Sequence, residues 1–422
     1  MTRGPPRPGA SSRCQRRDPA LRSRAATRAE TVRGSAPLPA ENSSAQMMPA
    51  VERVLVVGGG IAGMTLAVGL RRRGIGVEVL EKASEWQAIG AGIAVQPNGM
   101  RALAAIGLGQ PVAAAGRILA RWQFRSSAGD LLTDVDLEAV WQGVAPFVGI
   151  ARHRLQEALV AGARDVPARL GTSLTSIRQK PGGVTVTLGD RTAKRFDLVV
   201  GADGIRSQVR TLAFEPIEPQ FLEALAWRPL APIGLQGPPR VEFWLGEGCF
   251  FGLCSTAENE TYGFGNVTQQ RATDPVEGRL ERLRDRFKDF GTDVRRFLNH
   301  LERDDQVHCS ALEWVGNRRW HSGRVVLIGD AAHASSPMMG QGGCLAMEDA
   351  VVLAEELSAG SDLEAALERY VVRRQPRVHW VQEQSRQLGE AFRVPAPQRD
   401  SVLRERGEAM FYERYAPLLP EA

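Results

Sequence analysis

The stretch Arg53-Val-Leu-Val-Val-Gly-Gly-Gly-Ile-Ala-Gly63 decides the fold of this 422-residue chain. Its apolar start is bounded by glycines, which is typical of a short strand buried in a parallel sheet. The residues from Ile61 to Arg73 then predict a helix that ends at Gly74. A second strand follows at Val77-Glu-Val-Leu80. Strand, helix and strand together form one βαβ unit, which is typical of a doubly wound α/β domain.

Three glycines of this turn have the spacing of a dinucleotide-binding loop. Gly58 allows the tight turn, Gly60 lets a pyrophosphate approach the backbone, and Gly63 lets the helix pack closely on the strand. The free N–H groups at the start of the helix would face the phosphate charge. Glu81 ends the second strand, where a carboxylate accepts hydrogen bonds from a ribose. The pattern predicts a bound dinucleotide without choosing between FAD and NAD, and a glycine turn in an empty unit is the alternative.

Two more strand-turn-helix segments lie far downstream. Asp197-Leu-Val-Val-Gly-Ala-Asp203-Gly204 places one acid after a strand, and alone it is also compatible with an ordinary helix cap. In Arg324-Val-Val-Leu-Ile-Gly329-Asp330, the acid at the strand end can accept hydrogen bonds from polyol hydroxyls. Gly340-Gln-Gly-Gly343 then opens a helix whose free N–H groups could stabilise negative charge on a ring.

These segments at 51–90, 151–210 and 324–357 are interrupted by a stretch at about 215–275 that is rich in prolines and aromatic residues. Such a stretch predicts an antiparallel sheet layer. We expect an α/β fold with a Rossmann-type binding domain, an inserted mixed or antiparallel-sheet substrate domain and a C-terminal helical segment. The predicted divisions are an extension at 1–50, the binding domain at 51–214 (with some substrate-side strands) and 313–360, the substrate domain at 215–312, and C-terminal helices at 361–422.

The formal net charge of +5 is confined to the N-terminal extension. Residues 1–50 hold nine arginines, no lysine and three acidic residues, a net of +6, so the rest of the chain carries −1. The body therefore gives no electrostatic reason to expect a nucleic-acid partner. The extension lacks apolar periodicity and is predicted to be disordered. A translation start at Met47 or Met48 and an organelle-targeting segment are two interpretations of it, and the expected location is cytoplasmic.

Neither a membrane span nor a metal site is predicted. The uncharged run from Val54 to Leu70 is shorter than the ~20 residues that a span requires and contains five glycines. The five cysteines are scattered and odd in number, which favours a reducing compartment over disulfide bonds. The histidines show no metal-ligand spacing.

Taken together, the three motifs resemble the single-component FAD-dependent aromatic hydroxylases, the p-hydroxybenzoate hydroxylase group. The resemblance covers about residues 51–390. It includes Gly90-Ala-Gly-Ile-Ala-Val-Gln-Pro97-Asn98, Arg152-His-Arg-Leu155 and Tyr370-Val-Val-Arg-Arg-Gln-Pro-Arg377. The form Gly340-Gln-Gly-Gly-Cys344 is most similar to the branch that contains FAD-dependent urate hydroxylase and zeaxanthin epoxidase, since other branches have Asn in place of Cys344.

The resemblance implies a monooxygenase that uses NAD(P)H and O₂ to hydroxylate an aromatic or N-heterocyclic small molecule through a flavin C4a-hydroperoxide. FAD would be bound, and NAD(P)H would be a transient co-substrate, because no second glycine motif offers it a domain. The alternative is an FAD-dependent reductase or epoxidase of an isoprenoid or polyene substrate. A non-enzymatic binding protein is disfavoured because the downstream motifs are intact. The substrate, the choice of NADH or NADPH, any catalytic base and the oligomeric state stay open, with a homodimer as one alternative.

The resemblance also implies which residues bind FAD. The pyrophosphate would lie at the glycine turn, the adenosine ribose at Glu81 with Lys82 beside it, and the ribityl chain at Asp330. Arg152 would reach the linker between ring and phosphates, Leu174 would meet the adenine through its backbone, and Asp203 belongs to a segment tied to both FAD and NAD(P)H. The full set is Gly58, Gly60, Gly63, Glu81, Lys82, Ala94, Arg152, Leu174, Asp203, Asp330, Gly340, Gln341, Gly342, Gly343 and Cys344.

Three residues are candidates for the flavin face and the pocket. Pro337 would shape the face where oxygen reacts. Trp227 and Arg228 begin a strand that forms either a pocket wall with a positive group or ordinary sheet packing. His333 is interpreted as a structural hydrogen-bonding residue rather than an acid–base catalyst. Cys344 is interpreted as a small residue packed near the ring rather than a reactive thiol.

Overall fold

The computed structural model of the chain describes residues 49–86, 91–270 and 273–422. The interpretations of residues 1–48, and Gly90 of the motif quoted above, lie outside these described residues. The strands are, in chain order, β1 (Arg53–Val57), β2 (Gly76–Leu80), β3 (Gly92–Val95), β4 (Arg117–Ile118), β5 (Arg121–Ser126), β6 (Leu131–Asp136), β7 (Val148–Ala151), β8 (Ala168–Arg169), β9 (Leu174–Lys180), β10 (Gly183–Leu188), β11 (Ala193–Phe196), β12 (Leu198–Gly201), β13 (Gln220–Ala231), β14 (Arg240–Leu245), β15 (Cys249–Ala257), β16 (Glu260–Thr268), β17 (Val307–Trp314), β18 (His321–Ser322) and β19 (Val325–Leu327).

Helices connect and cover these strands. They are α1 (Ile61–Arg72), α2 (Pro97–Ala105), α3 (Gly109–Ala115), α4 (Leu137–Trp141), α5 (Arg152–Gly162), α6 (Gln208–Ala213), α7 (Arg279–Arg286), α8 (Thr292–Asn299), α9 (Asp330–His333), α10 (Gly342–Ser358), α11 (Leu363–Ala391) and α12 (Ala396–Tyr415). Within the ranges that the structure describes, no helix combines the length and apolarity needed to cross a membrane.

The central sheet is assembled from distant parts of the chain. Its six strands lie in the order β18-β19-β12-β1-β2-β8. β1 pairs in parallel with β2 on one side and with β12 on the other. Residues 54–57 of β1 are at most 6% exposed, which is the burial expected of a central strand in a parallel sheet that is covered on both faces. The predicted α/β fold with a Rossmann-type domain is confirmed.

A second sheet of seven strands forms the other half of the fold. Its order is β17-β13-β16-β15-β14-β5-β6, and it is mixed because β14 runs parallel to β5. One face packs against α7 and α8, where Phe251, Phe287 and Phe297 are buried. The apolar residues of 279–301 are divided between these two helices, with Gly291 preceding α8. A Cβ at Gly291 would lie 2.0 Å from the Trp244 ring, so the second helix starts where only glycine fits.

The C-terminal helices pack back onto both halves. α11 continues through Pro376 and buries Tyr370, whose hydroxyl donates to the Leu327 carbonyl at 3.2 Å. α12 brings Phe411 against Trp122, with their ring centroids 5.0 Å apart. The boundaries predicted for the individual domains stay predictions.

Candidate active site

The glycine turn forms a cradle that a phosphate can enter. Gly58 has φ +110°, and a Cβ there would lie 2.3 Å from the Ala202 carbonyl oxygen. A Cβ at Gly63 would lie 1.9 Å from the Gly58 carbonyl oxygen, so α1 packs too closely against the turn for any side chain at this position. Gly60 differs, since nothing lies within 4 Å of its Cβ position. The turn is therefore closed on its protein side and open where a ligand phosphate would approach.

Glu81 is fixed at the edge of this cradle. Its carboxylate accepts from the Gly59 N–H at 2.7 Å and from the Ala83 N–H at 2.8 Å. The Thr172 N–H donates to the Glu81 carbonyl at 3.0 Å, which brings the segment that leads to Leu174 beside it. Leu174 itself is fully buried, whereas Lys82 is exposed.

Asp203 faces inward rather than toward the cradle opening. Its carboxylate accepts from the Ser207 hydroxyl at 2.5 Å and from the Val209 N–H at 3.0 Å, and so it caps α6. Burial raises the pKa of Asp203. Its Cα lies 2.9 Å from the Cβ position of Gly58, so its backbone supports the glycine turn. The structure thus gives Asp203 a positioning role for the cradle and no open carboxylate for a ligand.

Asp330 stands exposed at the start of α9, directly after a turn at Gly329 with φ +58°. Asp349 holds that turn, because its carboxylate accepts from the Gly329 N–H at 2.9 Å. His333 Nε2 lies 2.5 Å from the same carboxylate oxygen, and Arg374 donates to the second oxygen at 2.8 Å. His333 is therefore a buried hydrogen-bonding residue, as predicted from the sequence motif.

Asp349 is the charged centre of this support. Burial alone would raise its pKa, but His333 and Arg374 hold the pKa of Asp349 at about 2. Arg374 also pairs with the buried Glu348 at 3.0 Å. The network ties α10 and α11 to the turn that presents Asp330, and it leaves the Asp330 carboxylate free to accept from a polyol.

The segment Gly340–Cys344 leads into α10, and buried side-chain contacts hold it in place. Gln341 is buried and donates to Gln96 at 2.7 Å, and it accepts from Asn98 at 2.9 Å. Cys344 packs against Gly99, and burial raises the pKa of its thiol to about 12, so it stays protonated. Nothing lies within 4 Å of the Gly342 Cβ position. The side chains point into the protein, and the glycine backbone is presented to the ligand side.

Arg152 is a cation without a partner. It starts α5 directly after β7, the strand that pairs with β3 and its Ala94. Burial lowers the pKa of the Arg152 guanidinium, although nearby Tyr262 and Asp330 favour its charged form. Within the described residues its guanidinium makes no hydrogen bond or ion pair, whereas its backbone N–H donates to the Ala91 carbonyl at 3.0 Å. An unpaired, partly buried cation beside the exposed Asp330 fits a ligand that brings both an anionic group and hydroxyls.

The side chains of Trp227 and Arg228 point to opposite faces of the seven-stranded sheet. Trp227 is buried among the residues under α7 and α8, and its indole N–H donates to Asp274 at 3.0 Å. Arg228 faces the opposite side of the sheet from Trp227, where its guanidinium donates to the Ser310 hydroxyl at 2.5 Å. The pocket-wall interpretation therefore does not hold for Trp227, because successive residues of a strand alternate between faces.

A cavity of about 450 Å³ opens on the same sheet face, beside Pro337. Ser336 and Met338 on either side of Pro337 line it, together with β13, β16, β17 and α11. Among the described residues, no group of acidic, histidine or cysteine side chains could hold a metal ion.

Five supporting residues were not identified from the sequence. Gln96 and Asn98 flank Pro97 in the motif Gly90–Asn98. Two polar residues directly after a strand could have indicated a hydrogen-bonding role. Gln156 donates to the Gly59 carbonyl at 2.7 Å from within α5. Asp349 and Tyr415 contact the site through partners far away in the sequence, and no local pattern indicates them.

An open glycine cradle, a free polyol acceptor and an unpaired arginine fit FAD, and they define a flavoprotein of the aromatic-hydroxylase type. The family model described as FAD binding domain matches residues 52–385. Aurachin C monooxygenase/isomerase of Stigmatella aurantiaca is 36% identical over 75% of this chain and 83% of its own length. The 3-amino-4-hydroxybenzoate 2-monooxygenase PtnB3 of Streptomyces platensis is 33% identical over 81% and 89%.

The solved structures agree with these relatives. Klebsiella pneumoniae HpxO complexed with FAD and uric acid superposes with a TM-score of 0.80 at 27% identity, covering 87% of this chain and 96% of that one. The chain therefore belongs to the FAD binding domain family, and it is an FAD-dependent monooxygenase. The resemblance inferred from the sequence motifs is confirmed.

Proposed function

We propose that the chain hydroxylates an aromatic or N-heterocyclic small molecule in the cavity beside Pro337, with NAD(P)H and O₂ as co-substrates. One oxygen atom would enter a C–H bond of the substrate. The other would leave as water, with two electrons from NAD(P)H and a proton from solvent. The observation that carries the proposal is the position of the cavity, whose wall includes both neighbours of Pro337 on the loop that leads to the glycines of α10. Bound FAD would supply the redox chemistry with NAD(P)H and O₂.

The chain's own residues would bind and orient the cofactor. Gly58, Gly60 and Gly63 would admit the pyrophosphate to the start of α1, where free N–H groups face it. Glu81 would accept from the adenosine ribose, and Asp330 from the ribityl chain. Arg152 would pair with the linker between ring and phosphates. The backbone at Ala94 and at Gly342 would flank the ring.

The apolar residues around the cavity would exclude water from it. Met338 packs against Ala224, Ala226 and Leu312, which are all less than 9% exposed. A dry site protects a reactive oxygen species from premature decay. Arg228 on the adjoining part of the sheet would add positive charge near the reacting atoms.

We also infer a cytoplasmic enzyme without a nucleic-acid partner. This inference is supported by the net charge of −1 outside residues 1–50 and by the scattered cysteines. A homodimer is compatible with it, and sedimentation of the purified protein would establish the oligomeric state.

The reaction is tested with ¹⁸O₂. Purified protein should be yellow and release FAD on heating. With a substrate identified by accelerated NAD(P)H oxidation, the product mass should rise by one ¹⁸O atom. A product that is reduced without oxygen uptake would instead establish the alternative, an FAD-dependent reductase of an isoprenoid chain. Colourless protein that does not take up FAD would contradict both.

A further inference from the structure

The cavity beside Pro337 is too large for a single small ring. An engineered apolar cavity of about 150 Å³ is enough for benzene, and this one has about 450 Å³. That volume lies in the range of ~300–1,000 Å³ that is typical of drug-sized ligands. A substrate that fills it therefore extends beyond one aromatic ring.

The inner walls of the cavity are apolar. The sheet contributes Leu222, Ala224, Phe250 and Leu312, and the loop before α10 contributes Met338. Apolar walls of this kind favour hydrocarbon on the ligand, because burial removes that surface from water.

The polar groups of the inner walls are neutral. Asn266 donates to the Leu225 carbonyl at 3.2 Å, and the amide oxygen is its remaining acceptor. Ser385 lies in the wall formed by α11, and its hydroxyl is buried without a hydrogen-bond partner among the described residues. A buried unpaired hydroxyl calls for a partner. The ligand therefore meets neutral hydrogen-bonding groups in an apolar surround.

The charged residues that line the cavity are two acids and two arginines at solvent-exposed positions, which we call the outer rim, and His379, which also lines the cavity, is exposed as well. Arg386 pairs with Glu383 at 2.7 Å and with Glu390 at 2.5 Å, and all three side chains are about half exposed. Arg393, the remaining charged residue of the rim, is exposed to solvent. Arg228, a cation on the same sheet face, donates to Ser310 and is not among the residues that line the cavity.

We propose that the substrate is a neutral aromatic or N-heteroaromatic molecule with an apolar substituent of several carbons, and that the cavity disfavours carboxylates on the ring. A ring carboxylate would be buried among apolar inner walls, to which no cation belongs in the part of the chain that the structure describes, and such burial is strongly unfavourable. The inference rests on the proposed function, because it takes this cavity as the substrate site.

Binding to the FAD-loaded enzyme tests it with two probes that share one ring. These are 2-heptyl-4-hydroxyquinoline and 4-hydroxyquinoline-2-carboxylate. Quenching of protein fluorescence reports binding, since Trp314 lines the cavity. We expect the alkyl compound to bind at least 10-fold more tightly. Equal or tighter binding of the carboxylate would overturn the inference, and so would the absence of binding by both probes.

Three variants localise the effect. Ala224→Phe should fill the cavity and weaken binding of the alkyl probe at least 10-fold. Leu222→Arg, at a half-buried wall position, should improve binding of the carboxylate at least 10-fold. Cys309→Ala lies on the opposite face of the same sheet, among the residues packed against α7 and α8, and should change neither. Unchanged preference in both wall variants would contradict the inference.

The outcome for the reaction is separate. Tight binding of the alkyl probe, combined with no ¹⁸O incorporation into any compound that accelerates NAD(P)H oxidation, would leave the substrate class intact and overturn the proposed hydroxylation. Incorporation of ¹⁸O into a carboxylated substrate that binds as tightly as the alkyl probe would support the proposed hydroxylation and overturn the substrate class.

Discussion

Tyr415 and Met339 are joined by a hydrogen bond of 3.1 Å, in which the Tyr415 hydroxyl donates to the Met339 carbonyl. Gln96 donates to the same carbonyl at 2.7 Å. Met339 belongs to the loop between Pro337 and Gly340, so the last long helix of the chain fixes the loop at the candidate active site. The match to the family model ends at residue 385, whereas Tyr415 lies beyond it. A segment outside the matched domain therefore shapes the site.

Removing this hydroxyl is expected to loosen the loop. Tyr415→Phe keeps the ring stacked on Phe411 but leaves one acceptor bond of Met339 unmade, at a cost of about 1 kcal/mol in the free energy of unfolding. We expect a shifted flavin absorbance spectrum and a several-fold larger share of NAD(P)H oxidised to hydrogen peroxide. Tyr412→Phe, on the same helix, is the control. Identical spectra and peroxide yields in the two variants would show that the hydrogen bond does not position the loop.

The pKa of Asp349 makes a prediction for acid stability. Because its folded-state pKa of about 2 lies below the unfolded value, its ionised form stabilises the protein above pH ~4. That contribution, about 2 kcal/mol, is lost as the pH falls from ~4 toward 2. Asp349→Asn should be less stable by about 3–5 kcal/mol at neutral pH, because Arg374 loses a buried partner. It should also lack this component of acid unfolding.

Chemical denaturation at several pH values measures both effects. Glu355→Gln removes a partly exposed carboxylate from the same helix and should cost at most about 1 kcal/mol. Equal stability losses in the two variants would show that Asp349 is not the centre of the network.

Arg152 separates binding from stability. Since it has no partner within the described residues, Arg152→Met should leave the thermal stability of FAD-free protein unchanged or raise it. The same change should weaken FAD binding about 10- to 100-fold, the equivalent of one lost charge-assisted hydrogen bond. Arg164→Met, an exposed arginine just after α5, should affect neither quantity. A destabilised FAD-free protein with normal FAD affinity would contradict the assignment.

Two glycines of the cradle should respond in opposite ways. Gly63→Ala places a methyl group against the Gly58 carbonyl and should lower the free energy of unfolding by about 3 kcal/mol. Gly60→Ala has open space and φ −80°, so the FAD-free protein should keep its stability. Its FAD affinity should nevertheless fall at least 10-fold, because the methyl group occupies the approach of the pyrophosphate. Calorimetry and FAD titration measure the two effects, and normal FAD binding by Gly60→Ala would place the pyrophosphate elsewhere.

The sequence predicts the backbone framework of the site well, because strand, turn and helix signals are local. The cradle at Gly58–Gly63, the turn before Asp330 and the helix start at Gly342 all lie where their motifs predict. The orientation of side chains is less accessible. Asp203 and Trp227 carry suitable chemistry, but the carboxylate of Asp203 caps its own helix and Trp227 lies on the far face of its strand.

Contacts between residues that are distant in the sequence are the second feature of the site that could not be predicted. Asp349 meets Gly329 and His333 only because α10 folds back under the turn, and Tyr415 reaches Met339 across 76 residues of sequence. No periodicity or composition within either segment signals these contacts. Their polarity becomes informative only once the packing of α10, α11 and α12 is known.

The interleaving of the central sheet has a consequence for biosynthesis. The glycine turn at Gly58–Gly63 and the helix start at Gly342 are separated by about 280 residues, and β19 pairs beside β12 only after the whole substrate sheet has been made. A ribosome-bound chain that ends before residue 340 therefore has the glycine turn but lacks the helix start at Gly342. We therefore expect FAD to bind only after most of the chain has been synthesised, and the bound cofactor then stabilises the folded state.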